Sequence, residues 1–293
     1  MVPWKFARQT FVLAMLVLVS ASGALAHLKN EETQFPDIEF SDARFDVVLL
    51  AAAGIIPETP VFEPDRPLNR RDLASWVALA RGLGKGGETP NTDTLAQAAL
   101  TAGAVASLDG EATFGELAAA FFPGEAAPER ERETPTKAAA VQFVASRLTT
   151  VAESGTLLDR LGISSGATGA IKSVESQAAG HGHGTVYVVT IGETKAPAYA
   201  HARVANGPTD LLAWEGRVVR RSMRREIDGQ MRLIYLEAEP LDAFAAKNTA
   251  ASDEALAVAT EERRSAIGPL LYGLLAAVAL LGVLLFARRR RVS

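Results

Sequence analysis

Apolar side chains recur along the first half of the chain at the three-and-four spacing of helices, and along the second half in the short runs of strands. Phe45, Val48, Leu49 and Ala52 share one helical face, and Gly54 ends that helix before Ile55-Ile56. A loop with Pro57, Pro60, Pro64 and Pro67 follows, too rich in proline for a helix or a central strand. A second helix is predicted from Asn69, a fitting N-cap. Asp72 stands three residues on, where its carboxylate can reach back as in a capping box. Leu73, Trp76, Val77 and Ala80 give this helix its apolar face, and the glycines at 82, 84, 86 and 87 close it.

The same pattern returns about fifty residues later, as stacked helix–loop–helix repeats require. Leu95, Ala96, Ala99 and Leu100 precede Gly103, and Thr113 to Phe122 supplies the second helix, with Thr113 at the cap and Glu116 three later. A third, partial copy begins at Thr134-Pro135-Thr136-Lys137 and runs as helix to Leu148. After Leu158 the period changes. Ala170–Val174, Thr185–Ile191, Ala198–Val204, Arg217–Arg225 and Met231–Glu237 are rich in Val, Ile, Tyr and Thr, with polar or glycine turns between them. Asp228-Gly229 is a strong hairpin signal. These strands suit a small antiparallel β-barrel, since closure removes exposed edges.

The two ends carry different patterns. Lys5 and Arg8, an apolar run from Phe11 to Val19 and the exit Ala24-Leu25-Ala26 have the layout of a secretory signal, with cleavage after Ala26. Ala266 to Phe286, extending to Ala287, holds no charge; as a helix it would span about 33 Å, enough for a bilayer core. Arg288 to Arg291 follow at once and predict a cytoplasmic flank. Both cues give a single-pass type I protein in the cell membrane, its N-terminal domains outside or in the wall space and its tail cytoplasmic. The expected organisation is α+β and multidomain: signal peptide 1–26, helical repeats 27–152, β-barrel 153–239, stalk 240–265, transmembrane helix 266–287 and tail 288–293.

Charge narrows the partners. Of 30 Lys+Arg and 34 Asp+Glu, six basic residues (Lys5, Arg8, Arg288 to Arg291) and no acid lie outside residues 27–287, leaving 24 against 34. Such a balance argues against bulk attraction to nucleic acid, so an anionic partner needs a discrete site. With no cysteine, apolar cores alone hold the exterior part. Gly162-Ile163-Ser164-Ser165-Gly166 has the letters of a nucleophile elbow, but it precedes a strand instead of a helix and reads as a loop. Gly180-His181-Gly182-His183-Gly184 offers two imidazoles, weak metal candidates beside the simpler reading as a hairpin tip. The glycines around Lys85 follow a helix, with no Ser or Thr after the lysine, and make no phosphate loop. No catalytic constellation and no cofactor are implied.

Phe35-Pro36-Asp37-Ile38, Ala53-Gly54-Ile55 and the stretch Phe62-Glu63-Pro64-Asp65-Arg66-Pro67-Leu68-Asn69-Arg70-Arg71-Asp72-Leu73 resemble the S-layer homology (SLH) family. The last stretch is similar to its signature F-x-P-D-x-P-[IVL]-T-R-A-E-[FLM]. Phe114 occupies the signature arginine's place in the second repeat, and Lys137 in the third. The resemblance covers residues 35 to about 150 and implies a three-repeat helical bundle that docks on anionic, often pyruvylated, secondary cell-wall polymers. Weaker likeness links 202–207, 216–218 and 234–238 to small β-barrel modules found beside SLH repeats.

Arg70 is the residue singled out for binding, since a cation at a helix's first turn is unfavourable unless an anion is near. Its alternative role is a surface charge or a salt bridge to Asp37. Asp37 and Lys137 complete the expected polymer-binding set. The expected function is non-enzymatic: linking membrane and wall through the repeats, with the wall polymer and the lipid bilayer as partners. The alternative is an accessory subunit whose β domain binds an envelope protein or ligand, the repeats being only structural. The full-length protein should fractionate with membranes and resist salt extraction, and external protease should spare only the last helix and tail. Recovery of the intact chain as a soluble protein would refute this topology.

Overall fold

The three signature helices begin alike because each solves the same problem at its N-terminus, where backbone N–H groups lack helical partners. The structure, a computed structural model, describes residues 28–83, 91–125, 128–151, 155–178 and 185–240. The signal segment, His181 and His183, the stalk after residue 240, the apolar C-terminal segment and the arginine tail lie outside them. Among the described residues no helix is long and apolar enough to cross a membrane.

Seven α-helices are described: α1 (Glu31–Gln34), α2 (Arg44–Ala52), α3 (Arg70–Ala80), α4 (Thr92–Thr101), α5 (Phe114–Phe121), α6 (Lys137–Ala145) and α7 (Leu157–Arg160). Asn69, Thr113 and Thr136 cap α3, α5 and α6 by accepting from the backbone N–H three residues on. Glu116 completes the expected capping box at α5, whereas the Asp72 side chain does not return to Asn69. At the far ends of α2 and α4, Gly54 (φ +74°) and Gly103 (φ +66°) take the left-handed conformation. There the following N–H groups, Ile55 and Ala104, bond back to Leu50 and Ala99 in paired Schellman turns.

The three repeats interlock head to head in a ring. The first helical N–H of each signature helix donates to a carbonyl in the loop of the next: Arg70 to Gly110, Phe114 to Glu133 and Lys137 to Arg66. In every case the acceptor stands three residues before the next repeat's N-cap. Inside this ring Ala112 N–H donates to Leu68 and Leu68 N–H to Pro135, while Pro135, having no N–H, leaves the third bond unmade. Each first helix then packs on the neighbouring signature helix, α4 on α3 through Leu95, Ala96 and Ala99 against Ala74 and Ala78, and α2 on α6. Among the described residues no helix precedes α6 in the third repeat. Glu131 from the loop covers α5 instead, its Cγ 2.5 Å from where a Cβ on Gly115 would stand.

The second half is a six-stranded sheet of β1 (Ile163–Ser165), β2 (Gly169–Ala178), β3 (Thr185–Ile191), β4 (Thr194–Ala205), β5 (Val218–Ile227) and β6 (Gln230–Ala238). The β5–β6 hairpin turns at Asp228-Gly229, both at positive φ, as expected. Pairing runs β2–β3–β4–β6–β5, and β5 also pairs with β2 and β1. The expectation of a wholly antiparallel sheet is corrected at one ladder: β4 and β6 run parallel. After β4 a 3₁₀ turn (Leu211–Trp214) carries the chain to β5, and the hairpin then returns β6 along β4 in the same direction.

The described residues up to Glu239 belong to one compact unit. Its main hydrophobic cluster joins Phe35, Val48, Phe62, Trp76 and Val141 of the helical region to Ile163, Met223, Ile234 and Tyr235 of the sheet. β6 is buried on both faces from Leu233 onward, which explains its near-continuous apolar run. The segment before α1 also joins the sheet. Lys29 bridges Arg203, and the Glu31 carboxylate accepts from Asn206 N–H. Trp76, 2% exposed and stacked on Phe62 at 6.2 Å, is central to the helical core. Trp76→Ala should destabilise the full-length protein by about 3–5 kcal/mol in chemical denaturation, and a loss below about 1 kcal/mol would contradict this packing.

Candidate functional site

Arg70 is the first residue of α3 and reaches toward the second repeat. Its Nε donates to Glu116 Oε1 at 2.8 Å and its Nη1 to the Asp109 carbonyl at 2.7 Å. The other Glu116 oxygen accepts from Thr113 N–H at 2.9 Å, so one carboxylate caps α5 and pairs with the arginine at once. The alternative partner Asp37 is thereby corrected: the ion pair of Arg70 is with Glu116. Beside it lies a cavity of about 210 Å³, lined by Arg70, Leu73, Val105, Ser107, Glu116 and Ala119. Nη2 of Arg70 has no protein partner among the described residues.

Asp37 serves the signature loop. Its carboxylate accepts from Phe62 N–H at 2.9 Å and Glu63 N–H at 2.5 Å, holding the turn where Glu63 takes φ +60°. A short acidic side chain before the first helix is suited to this, because backbone N–H groups in a proline-interrupted loop have few other acceptors. Asp37 therefore shapes the loop that delivers α3.

Lys137, expected as a second surface cation, is 7% exposed. Its Nζ lies 3.7 Å from Asp72 Oδ2 and 4.8 Å from the centroid of the Phe62 ring. Burial holds the Lys137 pKa below the ordinary lysine value, against the opposing pull of Asp72, Glu63 and Asp37. Lys137 and Asp37 thus face the same loop, while Arg70 acts at the next junction around the ring.

Arg70 and Lys137 obey one rule. Each is the first residue of its helix, and each pairs with the acid at the third helical position of the next repeat, Arg70 with Glu116 and Lys137 with Asp72. At the remaining junction Phe114 faces toward a repeat whose third position is Ala139, so cation and acid are replaced together. Phe114 packs instead against Phe143 at 5.5 Å and under Arg130 at 4.8 Å. In the sequence the acids of these latches carry only the pattern of capping residues. A signal for more lies in the repeat register: cations open the first and third signature helices at Arg70 and Lys137, and acids stand third in the first and second at Asp72 and Glu116. The run Arg220-Arg221-Ser222-Met223-Arg224-Arg225 on β5 was likewise read only as a strand.

Ser164 stands in β1, opposite Arg224, and not at a strand-to-helix turn. Among the described residues no group of His, Asp and Glu is arranged to hold a metal ion. Comparison with protein-family models, curated proteins and solved structures gives no match of any of the three kinds.

The Lys137 latch gives a signed pH effect. Since the folded state holds its proton more weakly than the unfolded chain, stability should rise as pH climbs from the folded pKa toward 10.5. Denaturation midpoints measured from neutral pH upward should show this rise, and Lys137→Met should abolish it. An identical slope in the variant would assign the effect to another group. Asp72→Ala, which strips the buried ammonium of its acid, should cost about 2–4 kcal/mol.

Proposed function

We propose that this chain is an exported, membrane-anchored envelope protein whose SLH-like repeats bind an anionic wall polymer at the junction of the first and second repeats. Arg70 carries the reading. Its guanidinium sits at a helix N-terminus, is 32% exposed by side chain, and lines a cavity of about 210 Å³. Glu116 and the Asp109 carbonyl hold the planar group in one orientation, so a carboxylate or ketal-linked pyruvate meets a donor already positioned. The ring of interlocked helix N-termini supports the likeness to a three-repeat bundle. The circuit of pairings from β2 through β3, β4, β6 and β5 back to β2 supports a small barrel beside it. The charge-free segment 266–287 followed by four arginines supports the anchor.

A second reading draws on a different observation. Lys137 is buried and Phe114 replaces the second-repeat arginine, so of the three signature positions only Arg70 presents a cation at the surface. On that reading the repeats are scaffold, and the β region with its exposed Arg220 and Arg221 meets an envelope partner.

Sedimentation of the full-length, detergent-solubilised protein with purified walls separates the two. Arg70→Ala should weaken wall binding roughly ten- to a hundredfold, corresponding to about 1.5–3 kcal/mol for a charge-assisted contact. Arg70→Lys should restore part of it. Glu116→Gln, which keeps the guanidinium but removes the charge that orients it, should weaken binding less than Arg70→Ala, and walls stripped of secondary polymer should bind none. Equal sedimentation of wild type and Arg70→Ala would remove Arg70 from the site, and absence of wild-type binding would favour the scaffold reading.

A further inference from the structure

A second cavity, of about 640 Å³, opens at the opposite ends of the same helices. Three arginines line it from three separate parts of the fold: Arg81 after α3, Arg160 at the end of α7 and Arg225 on β5. Apolar walls are supplied by Val77, Phe121 and Leu157. Arg81 and Arg160 reach two successive carbonyls at the end of α5, Ala120 and Phe121, so their guanidinium groups stand close together. Arg225 Nη2 donates to the Ala53 carbonyl at 2.7 Å, at the end of α2. Its Nε is sealed from solvent and has no hydrogen-bond partner.

Among the described residues none of these arginines has a carboxylate within ion-pair distance, in a protein with more acids than bases. Glu125 acts on Arg160 from beyond that distance, while burial and then the neighbouring Arg81 disfavour the charge of Arg160. Helix C-termini offset part of the excess. The ends of α2, α3 and α5 line the cavity, and at roughly half a charge each they answer about half of three guanidinium groups. What is left, between about one and two positive charges, matches a phosphate group, which carries about −1.5 to −2 and three acceptor oxygens. A single carboxylate supplies less of both.

We propose that this cavity is a binding site for a phosphate-type dianion, held by Arg160 and Arg225 with Arg81 at its mouth. A volume of several hundred Å³ with apolar walls accommodates an organic group attached to the phosphate. The site is separate from the Arg70 junction and stands or falls without it.

The test uses the full-length protein in detergent, with thermal unfolding and calorimetric titration against inorganic phosphate, glycerol phosphate and succinate, in chloride of matched ionic strength. Phosphate and glycerol phosphate should raise the unfolding temperature and release heat saturably. Micelles doped with phosphatidate form a further arm: saturable binding there alone assigns the phosphate to a lipid, and binding of the free esters assigns it to a soluble source. Arg160→Gln and Arg225→Gln should each weaken binding by about tenfold or more, Arg160→Lys should weaken it less, and Arg70→Lys should leave it unchanged. No response of the wild type to any phosphate form overturns the proposal, whatever the variants do. So does phosphate binding that survives both glutamine substitutions, and succinate binding as tight as phosphate overturns the class assigned.

Discussion

Three helix N-termini meeting at one place are an electrostatic and hydrogen-bonding problem, since each brings donors without acceptors and the positive end of a dipole. The ring of bonds from Arg70, Phe114 and Lys137 N–H to Gly110, Glu133 and Arg66 resolves it with the loops that precede the same helices. Each loop therefore has two duties, capping its own helix and completing its neighbour's. No repeat can satisfy both alone, which is why the repeat occurs as a set and why its loop geometry is guarded by proline, by Asp37 and by the side-chain caps.

The side chains around that ring can vary because the backbone does the joining. A cation and an acid reinforce two junctions, while an aromatic residue facing alanine serves the third. The same scaffold thus buries one cation, leaves another about one-third exposed beside a cavity and dispenses with the last. Binding capacity and structural integrity are separable in such a ring. Loss of the charge at the second repeat changes what the surface offers without removing the bonds that hold the repeats together.

How much was legible in the sequence follows from how local each cause is. The caps at Asn69 and Thr113, the glycine stops at Gly54 and Gly103 and the Asp228-Gly229 turn act within a few residues, and all appear where the pattern places them. Five of the six strands are readable from Val, Ile and Tyr content, but β1, in a stretch expected as a loop, is not, nor is the parallel β4–β6 ladder, because strand direction depends on how a hairpin folds back after a crossover. Arg70 was recognisable as an unusual cation at a helix start. Its acid, forty-six residues away, and the burial of Lys137 by the first repeat's loop are tertiary facts with no local signature. The three arginines of the second cavity stand just after α3, at the end of α7 and on β5, so no spacing along the chain relates them.

Asn206 sets the order in which this unit can be completed. Its backbone N–H binds Glu31, 175 residues earlier, and its side-chain amide binds the Ala238 carbonyl, 32 residues later. Asn206, in the left-handed conformation, therefore hydrogen-bonds to both the first and the last parts of the compact unit. During synthesis from the N-terminus, every donor and acceptor of the ring's backbone bonds has emerged by Lys137, whereas Lys29 to Glu31, and the part of the core shared with Ile234 and Tyr235, must wait for the far end of the sheet. Contacts of such separation are slow to form. A chain interrupted before β6 would hold an unpaired β4 edge and a helical core lacking Ile234 and Tyr235, a species exposed to aggregation or proteolysis on the way to the folded state.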